Sequence, residues 1–566
     1  MKIDWDVPVR MDDGLLLRAD IYRPEGAGRY PVIFSYGPYG KGLAFQEGYS
    51  TAWGIMARDY PDALAGSSNR YQNWEVVDPE KWVPDGYACV RVDSRGAGRS
   101  PGYLCHNNAR ETRDLYECIE WAAAQPWSSG KVGMNGISYY ASNQWRAAAA
   151  QPPHLAAICV WEGWNDPYRE SARHGGIICS FRKNWQDMQV KTVQHGVGER
   201  GKKNPNTGEL VCGPETLSVA ELARNREDMW QSFLSRELID DYYRERTADL
   251  SRVTVPLLSA ANWGGQGLHT RGNFEGFTRS KAKDKWLEVH GGSHWAPFYT
   301  DYGVGLQKRF FDFFLKGKPN GWDRQPRVQL NVRHPGEKFV IRHENEWPLA
   351  RTQWTRFYLN AESLSLSAAP AKSSQTLTYD PMGQGVTFSM VAEKETEITG
   401  PSTLKLFASS ATHDADFFAV LRVFDPSGRE VLFYGALDPK TPVGQGWLRA
   451  SHRKLDPRLS LPYRPWHTHD ELQKLEPGKP VELDIEIWPT CIVVPQGWKI
   501  ALSIRGRDYE HDDAPATLSN MKNAMRGCGP FTHDDETDRP PAVFDGRVTL
   551  HFDRNPYLLL PIIPAT

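Results

Sequence analysis

The chain has 566 residues, a formal net charge of −2, 24% charged residues and 40% hydrophobic ones. At roughly 150 residues per domain this length holds three or four domains, with cores that need no disulfide or metal staple. Balanced charge argues against a nucleic-acid partner, ordinary composition against disorder, and no run approaches the ~18 apolar residues of a membrane span. Twenty-one Trp and 23 Tyr are more than usual; aromatics in such number line pockets and interfaces or fill large cores. The opening MKIDWDVPVRMDDG has no apolar h-region of a secretory leader. The cysteines (Cys89, Cys105, Cys118, Cys159, Cys179, Cys212, Cys491 and Cys528) form no C-x-x-C pair. Scattered this way they read as reduced thiols of a cytoplasmic protein with no zinc site and no cofactor.

In chain order, residues 5–24 predict a hairpin around Asp12-Asp13-Gly14. Pro31–Tyr36 is a short apolar run suited to a buried parallel strand. Residues 41–75, rich in Gly, Ser and aromatics, read as a long loop near the strand ends. Residues 87–93 are a strand, and Glu111–Gln125 an amphipathic helix with Leu115, Ile119 and Ala122 on one face. A short strand over Lys131–Met134 runs through Asn135-Gly136-Ile137-Ser138-Tyr139 into an Ala-rich helix that stops at Pro152-Pro153. Leu155–Trp161 is again a strand. This alternation predicts a doubly wound parallel sheet over residues 1–165.

Residues 166–250 are polar and helical in pattern and read as an inserted cap. Val255–Ala260 and Trp286–His290 restore the strands, so 251–322 completes the α/β core with an aromatic helix at Gln307–Leu315. From 323 to 566 short alternating runs recur, RVQLNVR, STLKLFAS, FFAVLRVFD, PVELDIEIWP and WKIALSIRG. They predict an all-β, jelly-roll-like domain.

The sharpest chemical signal is Gly136-Ile137-Ser138-Tyr139-Tyr140. A serine between a strand and a helix, with glycine two residues before it, fits a nucleophile elbow, although Tyr140 replaces the usual second glycine. A serine capping a helix is the plainer reading. A hydroxyl needs a base, and His294, in the Gly-rich loop after the Trp286–His290 strand, stands where such a base is expected. His290 is the nearby rival, but at the strand end it reads as a packing residue.

These residues resemble the α/β-hydrolase family that includes cocaine esterase and X-Pro dipeptidyl-peptidases. The resemblance extends to Asp20–Pro24, Asp85–Tyr87, Asp93–Ser100, Gly291–Trp295 and Asp414–Phe417. It implies an α/β-hydrolase core with a helical cap and a C-terminal jelly roll. It also implies hydrolysis of esters, amides or peptides through an acyl-serine, and an oxyanion hole of a tyrosine hydroxyl, here Tyr39, with the Tyr139 backbone N–H.

The chain leaves the family's pattern at the triad acid. The position in the turn Asn262-Trp-Gly-Gly-Gln-Gly267 reads as Gly265. Three explanations compete: the acid has moved to the end of the Leu155–Trp161 strand, as Glu162 or as Asp166; Glu275 reaches back from the following helix; or the acid is absent and the protein is a weak hydrolase or a binding protein. A glutamate buried beside Trp161 needs a partner, which favours Glu162 on a histidine. Gly96–Gly102 misses the spacing of a dinucleotide loop and reads as a turn in which Asp93 and Arg95 pair. His467–Asp470 and Asp508–Asp513 read as solvated loops, not metal sites.

The expected function is therefore a serine hydrolase of a small ester or amide, with Ser138, His294 and Glu162 as triad. An X-Pro dipeptidyl-peptidase-like activity is the runner-up; the resemblance also implies that α-amino esters need a carboxylate cluster for the ammonium, and Gln266-Gly267-Leu268 offers none, which argues against amino-ester hydrolysis. Nucleic acid and membrane are excluded as partners, and a homodimer is open.

Overall fold

Strands β1 (Lys2–Arg10) and β2 (Leu16–Arg23) open the chain as an antiparallel hairpin around Asp12-Asp13-Gly14. In the computed structural model, which describes residues 1–370 and 375–564, they form the edge of a ten-stranded sheet. It continues with β3 (Tyr30–Gly37), β4 (Ala88–Asp93), β5 (Ser128–Ile137), β6 (Leu155–Trp161), β7 (Leu257–Asn262), β8 (Lys285–His290), β9 (Val328–His334) and β10 (Lys338–Glu344), in the order β1-β2-β4-β3-β5-β6-β7-β8-β9-β10. All neighbours from β4 through β9 are parallel. Such strands are covered on both faces, hence their continuous apolar runs. The chief covers are α1 (Ala109–Ala123), α2 (Tyr139–Ala150), α3 (Thr270–Arg279) and α4 (Asp301–Lys316). This is an α/β-hydrolase core, and its carboxyl edge is where such sheets bind ligands.

Four readings need correction. Arg327–Arg333 was expected in the β domain, but β9 pairs in parallel with β8 and extends the core sheet; its alternating pattern arises because it lies near the sheet's edge. Residues 41–75 are not one long loop. Ser50–Asp59 is a helix burying Ala52 and Met56, its periodicity blurred by Gly54. Asp93 and Arg95 do not pair. Arg95 binds Asp114 at 2.7 Å and Asp13 at 2.8 Å, while Asp93 accepts the backbone N–H groups of Lys41 and Arg99. His467 and His469 are buried, not solvated.

The segment 166–250 folds into short helices, including Phe181–Trp185, Val219–Arg224, Met229–Leu234 and Asp241–Arg246, over the carboxyl edge of the sheet. The other four β-runs of the sequence lie in an eleven-stranded sheet. There Thr396–Ser410 pairs antiparallel with Val481–Val494, and Tyr557–Ile563 pairs with both Gln353–Asn360 and Thr396–Ser410. That double pairing folds the sheet back on itself. Among the described residues no helix is long and apolar enough to cross a membrane.

Arg333 on β9 fastens the two sheets. Its buried guanidinium donates to Cys491 O at 2.8 Å, Val443 O at 3.0 Å and Thr490 Oγ1 at 2.7 Å. Arg333→Met leaves these acceptors in a dry interface, and each orphaned group costs about 1 to 3 kcal/mol. The expected result is an earlier first unfolding transition in urea; an unchanged midpoint would show that the strap carries no load.

Candidate active site

Ser138 follows β5 directly and precedes α2. Its backbone sits at φ 58°, ψ −110°, a strained conformation for a residue with a side chain. Gly136 is required two residues earlier, because a Cβ there would lie 2.5 Å from Tyr140 Cβ. Glu75 and Glu162 are likewise non-glycine residues at positive φ, 66° and 53°. Strain of this kind clusters at functional sites, and Glu75 and Glu162 both bond His294, whose ring stacks on the His269 that holds Ser138.

Glu162 follows β6 and is fully buried. One carboxylate oxygen accepts from His294 Nδ1 at 2.7 Å; the other accepts from His290 Nε2 at 3.0 Å and Asn262 Nδ2 at 3.1 Å. His294 Nε2 meets Glu75 Oε1 at 2.8 Å. The structure thus joins Glu162 to His294. It does not join His294 to Ser138: the serine Oγ lies 3.0 Å from Nε2 of His269, whose ring stacks on that of His294 with centroids 5.4 Å apart. His290 is more than packing, bridging Glu162 and Glu288.

The other carboxylates considered go elsewhere. Asp166 pairs with Arg169 at 2.7 Å, and Glu275 with Arg464 at 2.8 Å. An acid at Gly265 would force its neighbours to shift, since a Cβ there would stand 2.7 Å from Thr270 Oγ1. Sequence reasoning missed His269 and Glu75. The turn holding His269 was searched only for carboxylates, and Glu75 lay in a segment read as loop.

Electrostatics separate the two imidazoles. Burial works against charge on His294, but Glu162 and then Glu75 outweigh it and push its pKa up to about 10. Glu162 stays below the usual carboxylate range despite burial, because His294 and His290 hold it ionised. Burial, with the charges of His294 and Arg182, drives His269 well below the ordinary imidazole value. Burial raises Glu75 to about 7.

Tyr39, after β3, accepts from Trp185 Nε1 at 2.9 Å, which leaves its own O–H free to donate. The Tyr139 N–H, first of α2, has no acceptor among the described residues. Both line a pocket with Ser138, His269, His294 and Glu75. Cap residues (Phe181, Arg182, Trp185) and β-domain residues (Leu437, Asn520, Phe531) close it. Elsewhere, His174, Cys179 and His533 bring ligand atoms within 4.8 Å of one another. His174 Nδ1 and His533 Nε2 are hydrogen-bonded at 2.7 Å, and Asp508 holds the other nitrogen of His533. Such a closed chain accounts for the cluster without an ion.

The charged unit has a pH signature. His294 and His290, raised to about 10 and about 9, stabilise the fold fully below about 6.5 and lose that contribution as pH rises through their folded values. Glu162, lowered, contributes above its unfolded value and is lost as pH falls through the folded one. Urea midpoints should therefore decline from neutrality toward pH 10. Glu162→Gln should cost about 3 to 5 kcal/mol at neutral pH and move that alkaline decline to lower pH; an unshifted decline would dissociate it from Glu162.

Residues 13–296 match the X-Pro dipeptidyl-peptidase (S15 family) and residues 320–523 the X-Pro dipeptidyl-peptidase C-terminal non-catalytic domain. Cocaine esterase of a Rhodococcus species is 26% identical, over 75% of this chain and 81% of its own. A putative serine esterase of Mycobacterium tuberculosis is 26% identical, over 89% of this chain and 90% of its own. A solved CocE/NonD family hydrolase from Staphylococcus aureus is 33% identical with a TM-score of 0.84, covering 99% of this chain and 94% of that one. The α-amino acid ester hydrolase, at 16% identity and a TM-score of 0.68, shares the fold. With this two-domain match, and a serine on a strained elbow beside a pocket, the chain belongs to the X-Pro dipeptidyl-peptidase (S15) family of α/β-hydrolases and is a serine hydrolase.

Proposed function

We propose that the protein cleaves a carboxylic ester or amide of a small organic acid through an acyl-serine on Ser138. The observation that carries this reading is the strained Ser138 elbow, φ 58°, with its Oγ held by an imidazole at 3.0 Å in the wall of the cavity. Glu75, raised to about 7, first takes the Nε2 proton of His294; Ser138 Oγ then attacks the carbonyl carbon, and its proton passes to the freed His294 Nε2. The oxyanion accepts hydrogen bonds from the Tyr39 hydroxyl and the Tyr139 N–H. Collapse breaks the bond to the alkoxide or amine, which leaves with the proton from His294. Water then attacks the acyl-serine in the same way, releasing the acid and restoring Ser138.

Glu162 is the reason to choose His294 as the acid–base group. A carboxylate on Nδ1 orients the ring and stabilises its charged form. His269 has no carboxylate partner, and the Trp164 N–H donates to its Nδ1 at 3.2 Å. Its neutral ring therefore carries the proton on Nε2 and donates to Oγ. His269 positions the serine at rest. Catalysis needs Oγ to turn from His269 to the ring stacked beside it, and Nε2 of His294 to leave Glu75.

A second reading, in which His269 itself takes the proton, is favoured by its 3.0 Å contact with Oγ. A dipeptidyl-peptidase activity is less supported, because Arg182 in the cavity wall repels an α-ammonium group.

Purified protein should react with a fluorophosphonate probe and turn over p-nitrophenyl esters, and Ser138→Ala should lose both. Glu162→Gln and His294→Gln should each lower kcat/KM by about 10³ to 10⁴, and His269→Asn by about ten- to a hundredfold. If His269→Asn suffers the larger loss, the second reading replaces the first. Tyr39→Phe should lower kcat by about 10² to 10³ with KM little changed; a loss confined to KM would remove Tyr39 from the oxyanion hole.

A further inference from the structure

We propose that the substrate carries a free carboxylate and that Arg182, with Asn520, is its receptor; this deepens the acyl-serine reading above and rests on it. Arg182 lies in the cap helix Phe181–Trp185 and is 4% exposed. Its guanidinium lies over the rings of Trp185 and Trp164, at 4.6 and 5.5 Å from their centroids. Its Nε donates to Ser171 Oγ at 2.6 Å. No acceptor among the described residues takes its terminal nitrogens, and no carboxylate there pairs with it within 4.0 Å.

Several other buried arginines are treated differently. Arg173 pairs with Asp538, Arg271 with Glu170 and Glu486, and Arg449 with Asp416 and Asp538. Arg333, without a carboxylate, has three oxygen acceptors. Arg182 alone among these keeps its fork open, and it does so in the cavity wall with Ser138. A buried charge without compensation costs several kcal/mol, and an anion from the ligand supplies that compensation.

Asn520 is the second, independent mark. It comes from the β domain, lines the same cavity and is 3% exposed, and both its amide nitrogen and its amide oxygen lack a partner. Buried amides are rarely left so. Its Nδ2 and the two terminal nitrogens of Arg182 supply donors for the two oxygens of a carboxylate, whose planar shape matches the guanidinium fork. Arg182 is the one Arg or Lys among the cavity's lining residues, and Glu75 is engaged by His294. One fixed cation suits a monoanion better than a phosphate dianion. The aromatic rings under the guanidinium leave an apolar path for the few methylenes between the carboxylate and the scissile carbonyl.

The test compares p-nitrophenyl hydrogen adipate with its neutral isostere, p-nitrophenyl 6-methylheptanoate, in wild type, Arg182→Met and Arg182→Lys. Wild type should favour the anionic ester by about tenfold or more in kcat/KM, the worth of a charged hydrogen bond. Free adipate should inhibit competitively. Arg182→Met should lower the anionic-to-neutral ratio by about thirtyfold, and Arg182→Lys should recover part of it. Preference of wild type for the neutral ester, or a ratio unmoved by Arg182→Met, overturns the assignment. If Arg182→Met does not fold, the wild-type preference and adipate inhibition decide. Wild type that fails to label with fluorophosphonate sinks the acyl-serine reading itself; labelling with a neutral-ester preference sinks only the carboxylate receptor.

Discussion

One buried carboxylate organises the site. Glu162 accepts from His294, His290 and Asn262 through its side chain, and its backbone carbonyl accepts the N–H of Ser138 at 3.1 Å. It thereby ties the nucleophile elbow, the end of β7 and the histidine loop after β8 to the end of β6. A carboxylate with no access to water is tolerable only when charge and hydrogen bonds replace its hydration. The two imidazoles do both, and in return they are held charged. Polar groups at this depth must fit together or not at all, which is why the backbone accepts left-handed conformations at Glu75, Ser138 and Glu162.

That electrostatic arrangement depends on three parts of the chain closing over one another. Gly264 has room for no side chain because the β domain approaches it, with Gly435 Cα 2.5 Å from the place of a Cβ. Ala436 bonds across the same contact to Gly264 O and His294 N. Arg271, on the helix that begins just after His269, pairs with Glu170 of the cap at 2.8 Å and Glu486 of the β domain at 2.9 Å. The cap supplies Arg182 and Trp185, the β domain Asn520. Water is excluded only when all three are in place, so the shifts in proton affinity at the site belong to the assembled chain and not to the α/β core alone.

The elements that produce the core were legible because their patterns are strong. The Asp-Gly hairpin, the apolar β3, β5 and β6 runs and the Ala-rich α2 each obey a single period, and parallel strands with helices between them admit few topologies. The Ser138 elbow was legible as a strand–turn–helix, and the contact of Glu162 with His294 because an acid beside Trp161 demands a partner. Glu75 and His269 were not legible. Each stands in an irregular segment with no period, and their roles come from contacts across 219 and 131 residues of sequence. Strand β9 was misassigned for a related reason: alternation reports one exposed face and does not say which sheet owns it.

The turn after β7 is tightly packed. At Gly265 a Cβ would meet Thr270 Oγ1, and at Gly264 it would meet the β domain, so this turn holds no carboxylate. In place of an acceptor it supplies donors. Asn262 sends Nδ2 to Glu162 at 3.1 Å and to Gly292 O at 2.9 Å, bridging β6 to the loop after β8 across the end of β7. Because β6, β7 and β8 are adjacent in the sheet, a glutamate one strand over reaches the same imidazole nitrogen when the strand between ends in an amide that bonds to both sides. Beside the serine stands His269, whose Nδ1 faces a backbone N–H. The lack of a carboxylate in this turn thus goes with a packing constraint at the contact between core and β domain.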